Sequence, residues 1–188
     1  MFESTVTVPL RAQQRECAVV SLRGDPTLAS FRNVVDESLG LSLPAPGSVT
    51  SRSADRLLWV GPDTWFWIGP PASGQSTVER LMSVANEAHI HCAVTDVSGG
   101  YAQITLSGPQ AIDIIASGCP LDLHPAIFGP GAVASSLFYQ AGIHLWKMDE
   151  QAQFELLVRS SFADYFWKIL AASCAECGLE RSDSAEFI

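Results

Sequence analysis

Two cysteines three apart, two histidines two apart and a Ser-Gly-Gly run are the groupings in this chain whose residue types could do chemistry. Cys174-Ala-Glu-Cys177 has the spacing of a redox pair or half a zinc site. It falls at the end of a helical pattern, away from the positive helix end that lowers a thiol pKa, and no second pair exists to complete a four-cysteine site. His89-Ile90-His91 sets two imidazoles on one side of an extended chain, where they could chelate a metal. No third ligand lies nearby in sequence, and their place after a helical pattern suits a helix end. His124 stands between Leu123 and Pro125 as a turn residue, and His144 sits inside a strand pattern with Trp146, exposed or hydrogen-bonded on a sheet face. Ser98-Gly99-Gly100 lacks the surroundings of a nucleophile elbow, and no ordered acid and histidine complete a triad. Asp25, Asp36, Glu37, Asp113 and Asp122 fall on helix starts, helix faces or turns, where solvent and helix dipoles account for them. Gly61-Pro62, Gly69-Pro70 and Gly129-Pro130-Gly131 punctuate turns and open no phosphate-binding loop. The residues therefore offer no catalytic, cofactor-binding or metal-ligating set.

Composition narrows the function classes further. The 188 residues are 47% hydrophobic and 16% charged, enough apolar material for a sizeable core. A formal net charge of -9 with no basic cluster disfavours nucleic acid. Neither a secretory leader at Met1-Phe2-Glu3-Ser4-Thr5 nor an apolar run long enough to span a bilayer is present, so the expectation is a cytoplasmic protein without a membrane partner. Cys17, Cys92, Cys119, Cys174 and Cys177 are read as reduced thiols.

The elements that would carry these side chains come in two similar sets. Cys17-Ala18-Val19-Val20-Ser21-Leu22, the turn at Gly24 and a helical face of Leu28, Phe31, Val35 and Leu39 are echoed by Ala102, Ile104 and Leu106, the turn at Gly108-Pro109 and a face of Ala111, Ile112 and Ile115. Pro46-Gly47 is answered by Pro130-Gly131. Paired strand patterns follow in each set. Leu57-Leu58-Trp59-Val60 joins Trp65-Phe66-Trp67-Ile68 through a hairpin at Gly61-Pro62-Asp63-Thr64. Ile143 to Trp146 goes with Phe154 to Val158. A second helix closes each set, on Val78, Leu81, Met82 and Ala85, then on Phe162, Tyr165, Phe166, Ile169 and Leu170, with a last strand at Ala93 to Val97. This order predicts an α+β fold of two split βαβ (ferredoxin-like) units, each an antiparallel sheet with helices on one face. The units span 1–98 and 99–178, packed as one body, with a polar tail at 179–188. Ser98-Gly99-Gly100, the stretch of greatest backbone freedom, would join them. Trp65 and Trp67 fall on one face of their strand and Phe66 and Ile68 on the other, so either the second unit or another protein must cover the second apolar face; core packing is the simpler account.

Thr95-Asp96-Val97-Ser98 followed by Ile104-Thr105-Leu106-Ser107-Gly108-Pro109-Gln110-Ala111 resembles the folate-binding domain family typified by the glycine-cleavage T-protein. Gly118-Cys119-Pro120-Leu121-Asp122-Leu123-His124-Pro125, then Phe128, Pro130-Gly131 and the run Phe154 to Ala163, narrow the resemblance to the gamma subunits of heterotetrameric sarcosine oxidases, over about Val19 to Ala172. The resemblance implies an accessory subunit beside alpha, beta and delta subunits, with alpha as the direct contact. It also implies that FAD, FMN, NAD and tetrahydrofolate are held by those partners and none by this chain. The complex would demethylate sarcosine to glycine, the methyl group passing to tetrahydrofolate or leaving as formaldehyde. The corresponding subunit of a related N-methyl amino acid dehydrogenase, or an independent folate or one-carbon module, are the alternatives. At the place where the T-protein carries a folate-contacting acid, the nearest register here is Gly142-Ile143-His144-Leu145, without an acid.

Overall fold

The computed structural model describes residues 10–149 and 153–176 and has ten strands, most of them carrying apolar residues in alternation or in short runs, and four α-helices of 3.6-residue periodicity. The first sheet takes strands β2 (Ala18–Arg23), β3 (Val49–Arg52), β4 (Asp55–Gly61), β5 (Thr64–Gly69) and β6 (Ala93–Asp96), in the order β3-β4-β5-β2-β6. The second takes β1 (Arg11–Arg15), β7 (Tyr101–Ser107), β8 (Val133–Phe138), β9 (Ala141–Trp146) and β10 (Gln153–Arg159), in the order β1-β7-β10-β9-β8. Every pairing is antiparallel. Helices α1 (Ala29–Leu39) and α2 (Gly74–Glu87) belong with the first sheet, and α3 (Ala111–Gly118) and α4 (Ala163–Glu176) with the second. The expected α+β fold of two split βαβ units with helices on one face is what forms.

The period of two in the strands sorts the side chains into three apolar layers. Val20, Leu22, Trp65 and Trp67 point to the helix side of the first sheet and meet Phe31, Val35 and Leu81. Ile104, Leu106, Leu145, Phe154 and Leu156 do the same in the second, against Ile114, Ile115, Phe166 and Leu170. The opposite faces of the two sheets meet each other through Val19, Leu58, Phe66 and Ile68 on one side and Val133, Trp146 and Leu157 on the other. The order through the molecule is thus helix, sheet, sheet, helix. The second apolar face of the Trp65–Ile68 strand is covered from within the chain.

Local signals explain most boundaries. Gly40 ends α1 at φ 61, its N–H donating to Asp36 O at 2.7 Å. His89, at φ 53, takes the left-handed position after α2, and the Ile90 N–H reaches back to Ala85 O at 2.8 Å. Gly61 pairs with Thr64 across the β4–β5 hairpin. Three strands go beyond the sequence expectation: β1, β3 and β8. Leu28 and Phe162, assigned to helical faces, lie in the turns that precede α1 and α4 and are exposed. Ser98-Gly99-Gly100 is pinned rather than loose: it forms a 3-10 turn, Ser98 Oγ accepts from the Val19 N–H at 2.9 Å, and Ser160 Oγ donates to Gly99 O at 3.0 Å. Cys177 and the 179–188 tail lie outside the described residues.

Candidate functional site

Ionisable and aromatic side chains from both units converge at the rim of the seam between the sheets. β9 presents His144 there because Ile143 and Leu145 turn to the helix side, leaving His144 and Trp146 to face the first sheet. Ser135, opposite His144 in the β8–β9 ladder, lies 2.8 Å from its Nδ1 through Oγ. Phe66 of β5 meets the imidazole edge-on at 5.1 Å between ring centroids and Tyr101 of β7 edge-on at 5.2 Å. The Arg159 guanidinium lies over the Tyr101 ring, 4.6 Å from its centroid.

A serine beside an imidazole suggests a nucleophile and its base, but the electrostatics point elsewhere. Burial in the seam and then the nearby Arg159 charge push His144 down to about 4. So weak a base takes little of a hydroxyl proton at neutral pH. Among the described residues no carboxylate accepts a hydrogen bond from the ring to orient it; the partner of Nδ1 is the Ser135 hydroxyl. The cluster is built to close a seam around a neutral imidazole. Beneath it, Trp146 has 0% exposure and forms the floor of the seam with Val19, Leu58 and Leu157.

The other candidate residues remain apart. His89 stands at the end of α2 and His91 is exposed beyond it. His124 Nδ1 accepts from the Ala126 N–H at 3.2 Å while its own N–H donates to Asp122 Oδ1 at 2.9 Å, which makes it the turn residue expected. Asp25 accepts from the Thr27 N–H and hydroxyl at 2.8 and 2.7 Å in the turn before α1, and those bonds hold its carboxyl below the ordinary value. Asp113 lies in the first turn of α3. Cys174 is half-buried on α4, and Cys119 is buried with Sγ donating to Ser136 Oγ at 3.5 Å. Among the described residues no three His, Cys, Asp or Glu side chains converge as a metal site would require, and no helix is long and apolar enough to cross a membrane. At Gly142-Ile143-His144-Leu145 the polar side chain present is a histidine already engaged by Ser135 and Phe66, which does not fit the acid contact of a T-protein folate site. Sequence reasoning placed His144 on a sheet face but missed Ser135, Tyr101 and Arg159, which only the pairing of β7, β8, β9 and β10 brings together.

Comparison with known proteins agrees with this architecture. A chain of the heterotetrameric sarcosine oxidase from Corynebacterium sp. U-96, solved in complex with pyrrole 2-carboxylate, superposes with a TM-score of 0.81 at 23% identity, over 92% of this chain and 87% of that one. The glycine cleavage system aminomethyltransferase T from Bartonella henselae shares the fold with a TM-score of 0.62 at 15% identity, over 86% of this chain and 45% of that one. In sequence, the sarcosine oxidase subunit gamma of Corynebacterium sp. (strain P-1) is 30% identical over 168 residues, which are 86% of this chain and 80% of the relative. That of an Arthrobacter species is 31% identical over 121 residues, 63% and 58% of the two chains. The model of the sarcosine oxidase gamma subunit family matches residues 23–176, and the chain belongs to that family.

Proposed function

We propose that this chain is the accessory gamma subunit of a heterotetrameric sarcosine oxidase, docking on the alpha subunit and contributing shape and surface but no reacting group. One observation carries the reading: the family match runs from β2's end through α4, across both sheets and the seam that joins them. Its polar clusters suit this role, since the best-formed of them holds a neutral histidine in a packing contact. On this reading FAD, FMN, NAD and tetrahydrofolate sit in the partner subunits, in the cytoplasm. Sarcosine is oxidatively demethylated to glycine there, with the methyl group transferred to tetrahydrofolate or released as formaldehyde.

Co-expression with the flavoprotein subunits of the complex, followed by mass analysis of the purified assembly, tests the assignment. A stoichiometric complex with sarcosine-dependent oxygen uptake is expected. A chain that purifies alone and ignores those partners would overturn it. The T-protein fold keeps a second reading in view, an independent folate module. Titrating the isolated chain with tetrahydrofolate separates the two, because saturable micromolar binding belongs only to the second.

A further inference from the structure

Open backbone at the rim of a sheet is a template for another strand, and folded proteins block it with charge, proline, bulges or brevity. Of the four edge strands described, three are blocked in this way. β1 carries Arg11 and Arg15; β3 is four residues long and ends on Arg52; β6 is four residues long and ends on Asp96. β8 has none of these devices. Its six residues pair with β9 in unbroken register, and from Leu123 through Trp146 the sequence contains no Asp, Glu, Lys or Arg.

Hydrogen-bond parity shows which groups of β8 are open. Phe138 and Ala141 close the hairpin, and the Lys147 N–H donates to Ala132 O at 3.1 Å, so the even-numbered residues bond to β9. The Val133 N–H turns the other way and donates to Gly47 O at 2.9 Å. The same alternation directs the N–H and C=O of Ser135 and Leu137 outward, and neither has a backbone partner there among the described residues. Beside these open groups Leu137 is 50% exposed, and Tyr139 at the hairpin tip is also exposed.

We propose that the Ser135–Leu137 edge of β8 receives an extended, uncharged segment of a partner subunit, which adds to the second sheet as a further strand and sets an apolar side chain against Leu137. This deepens the subunit reading above and rests on it. A second copy of this chain is the poorer occupant, because two molecules at -9 repel and the charge-free edge has no ion pair to offset that. A charged partner strand would likewise find no counter-charge along β8.

The test uses the co-purified complex and the full chain. Leu137→Pro removes the outward N–H while sparing every bond to β9, and Leu137→Lys supplies the missing charge. Both should weaken association at least about tenfold, a loss near 1.4 kcal/mol, while Thr95→Lys on the β6 edge leaves it unchanged. Hydrogen exchange over residues 133–138 should slow at least tenfold when the parent chain enters the complex. Thermal melts of the free variants that match the parent separate lost docking from lost folding. Full association by both Leu137 variants, or unprotected 133–138 amides in the complex, overturns the inference and leaves the subunit reading standing. A homodimer of the free chain that Leu137→Lys dissociates also overturns it, because the edge then serves a second copy. A parent chain that never joins the flavoprotein subunits sinks both.

Discussion

Acidification should loosen the seam between the sheets through one histidine. His144 has an ordinary value of 6.5 and is held down to about 4 in the fold, by burial first and by Arg159 second. Between those values the unfolded chain binds a proton that the folded chain refuses, so stability rises with pH across that window and is lost as pH falls from about 6.5 to about 4. At about 1.4 kcal/mol per pH unit, the full lag from 6.5 to about 4 is worth at most about 3–4 kcal/mol. Part of the ring reaches solvent, so about 2–3 kcal/mol is the expected loss. Urea unfolding of the full chain at intervals from pH 7 to 4 measures it, with His144→Gln as the comparison. The variant starts less stable, having lost the ring contacts to Phe66 and Tyr101, but its stability should be nearly flat in that window. Arg159→Gln should give an intermediate slope, since it removes the repulsion and leaves the burial. Asp25 and Asp63 do not confuse the reading: their carboxyls are held below 3.8 by hydrogen bonds, from Thr27 and from Arg23 respectively, and their contribution is lost only at lower pH. A parent and a His144→Gln variant that lose stability in parallel from pH 6.5 to 4 would refute the argument.

Other consequences follow from packing and backbone. Trp146→Ala should cost about 3–5 kcal/mol in chemical unfolding by emptying the seam; Trp146→Phe should cost under about 2 kcal/mol, because it also removes a buried indole N–H that has no partner among the described residues. Gly24 and Gly131 are needed for different reasons, and calorimetry of the alanine variants should separate them. A Cβ at Gly24 would stand 2.3–2.7 Å from three atoms of the buried Phe31 ring, an overpacking cost of about 1–3 kcal/mol. At Gly131 a Cβ meets nothing within 4 Å, but φ is +83, so alanine there costs about 1–2 kcal/mol through conformation alone. Burial, then the charge of Glu155, raises Cys17 to about 11, so iodoacetamide at pH 8 should leave Cys17 unmodified in the native chain and label it after denaturation, read by peptide mass.

What sequence patterns could and could not reveal follows from where the determinants lie. Trp65-Phe66-Trp67-Ile68 announces a strand buried on both faces, and the structure covers those faces with α1 and α2 on one side and the second sheet on the other. The repeated Pro46-Gly47 and Pro130-Gly131 turns prove to meet across the seam: the Val49 N–H donates to Gly131 O and the Val133 N–H to Gly47 O, each at 2.9 Å. β1 was hidden because Arg-Ala-Gln-Gln-Arg has no apolar alternation. It is a strand because β7 pairs with it from Arg11↔Ser107 to Arg15↔Gln103, and because Trp167 Nε1 donates to Gln14 Oε1 at 2.9 Å. β3 and β8 are rich in Ser and Thr and gain their state likewise from a neighbouring strand. The His144 cluster was illegible because its five side chains come from five strands, β5 and β7 to β10, whose order no local pattern specifies.

That strand order bears on how the molecule holds together. In the first sheet the place beside β2 is filled by β6, from the end of the same repeat; in the second, the matching place beside β7 is filled by β1, from the start of the chain. β1 then passes to β2 through only Glu16 and Cys17, crossing from one sheet to the other, and β6 crosses back to β7 through Val97 to Gly100. The second repeat therefore depends on a strand it does not encode, and separating the repeats would bare the β7 edge as well as the Trp146 seam. Their inner faces are committed to each other and their helix-side faces to the two helical cores. Among the described residues, what the fold leaves uncommitted is backbone at a sheet edge, and of the four edge strands there only β8 lacks a blocking charge, proline, bulge or short strand. If the proposed docking role holds, that unblocked edge is where a partner's strand would add.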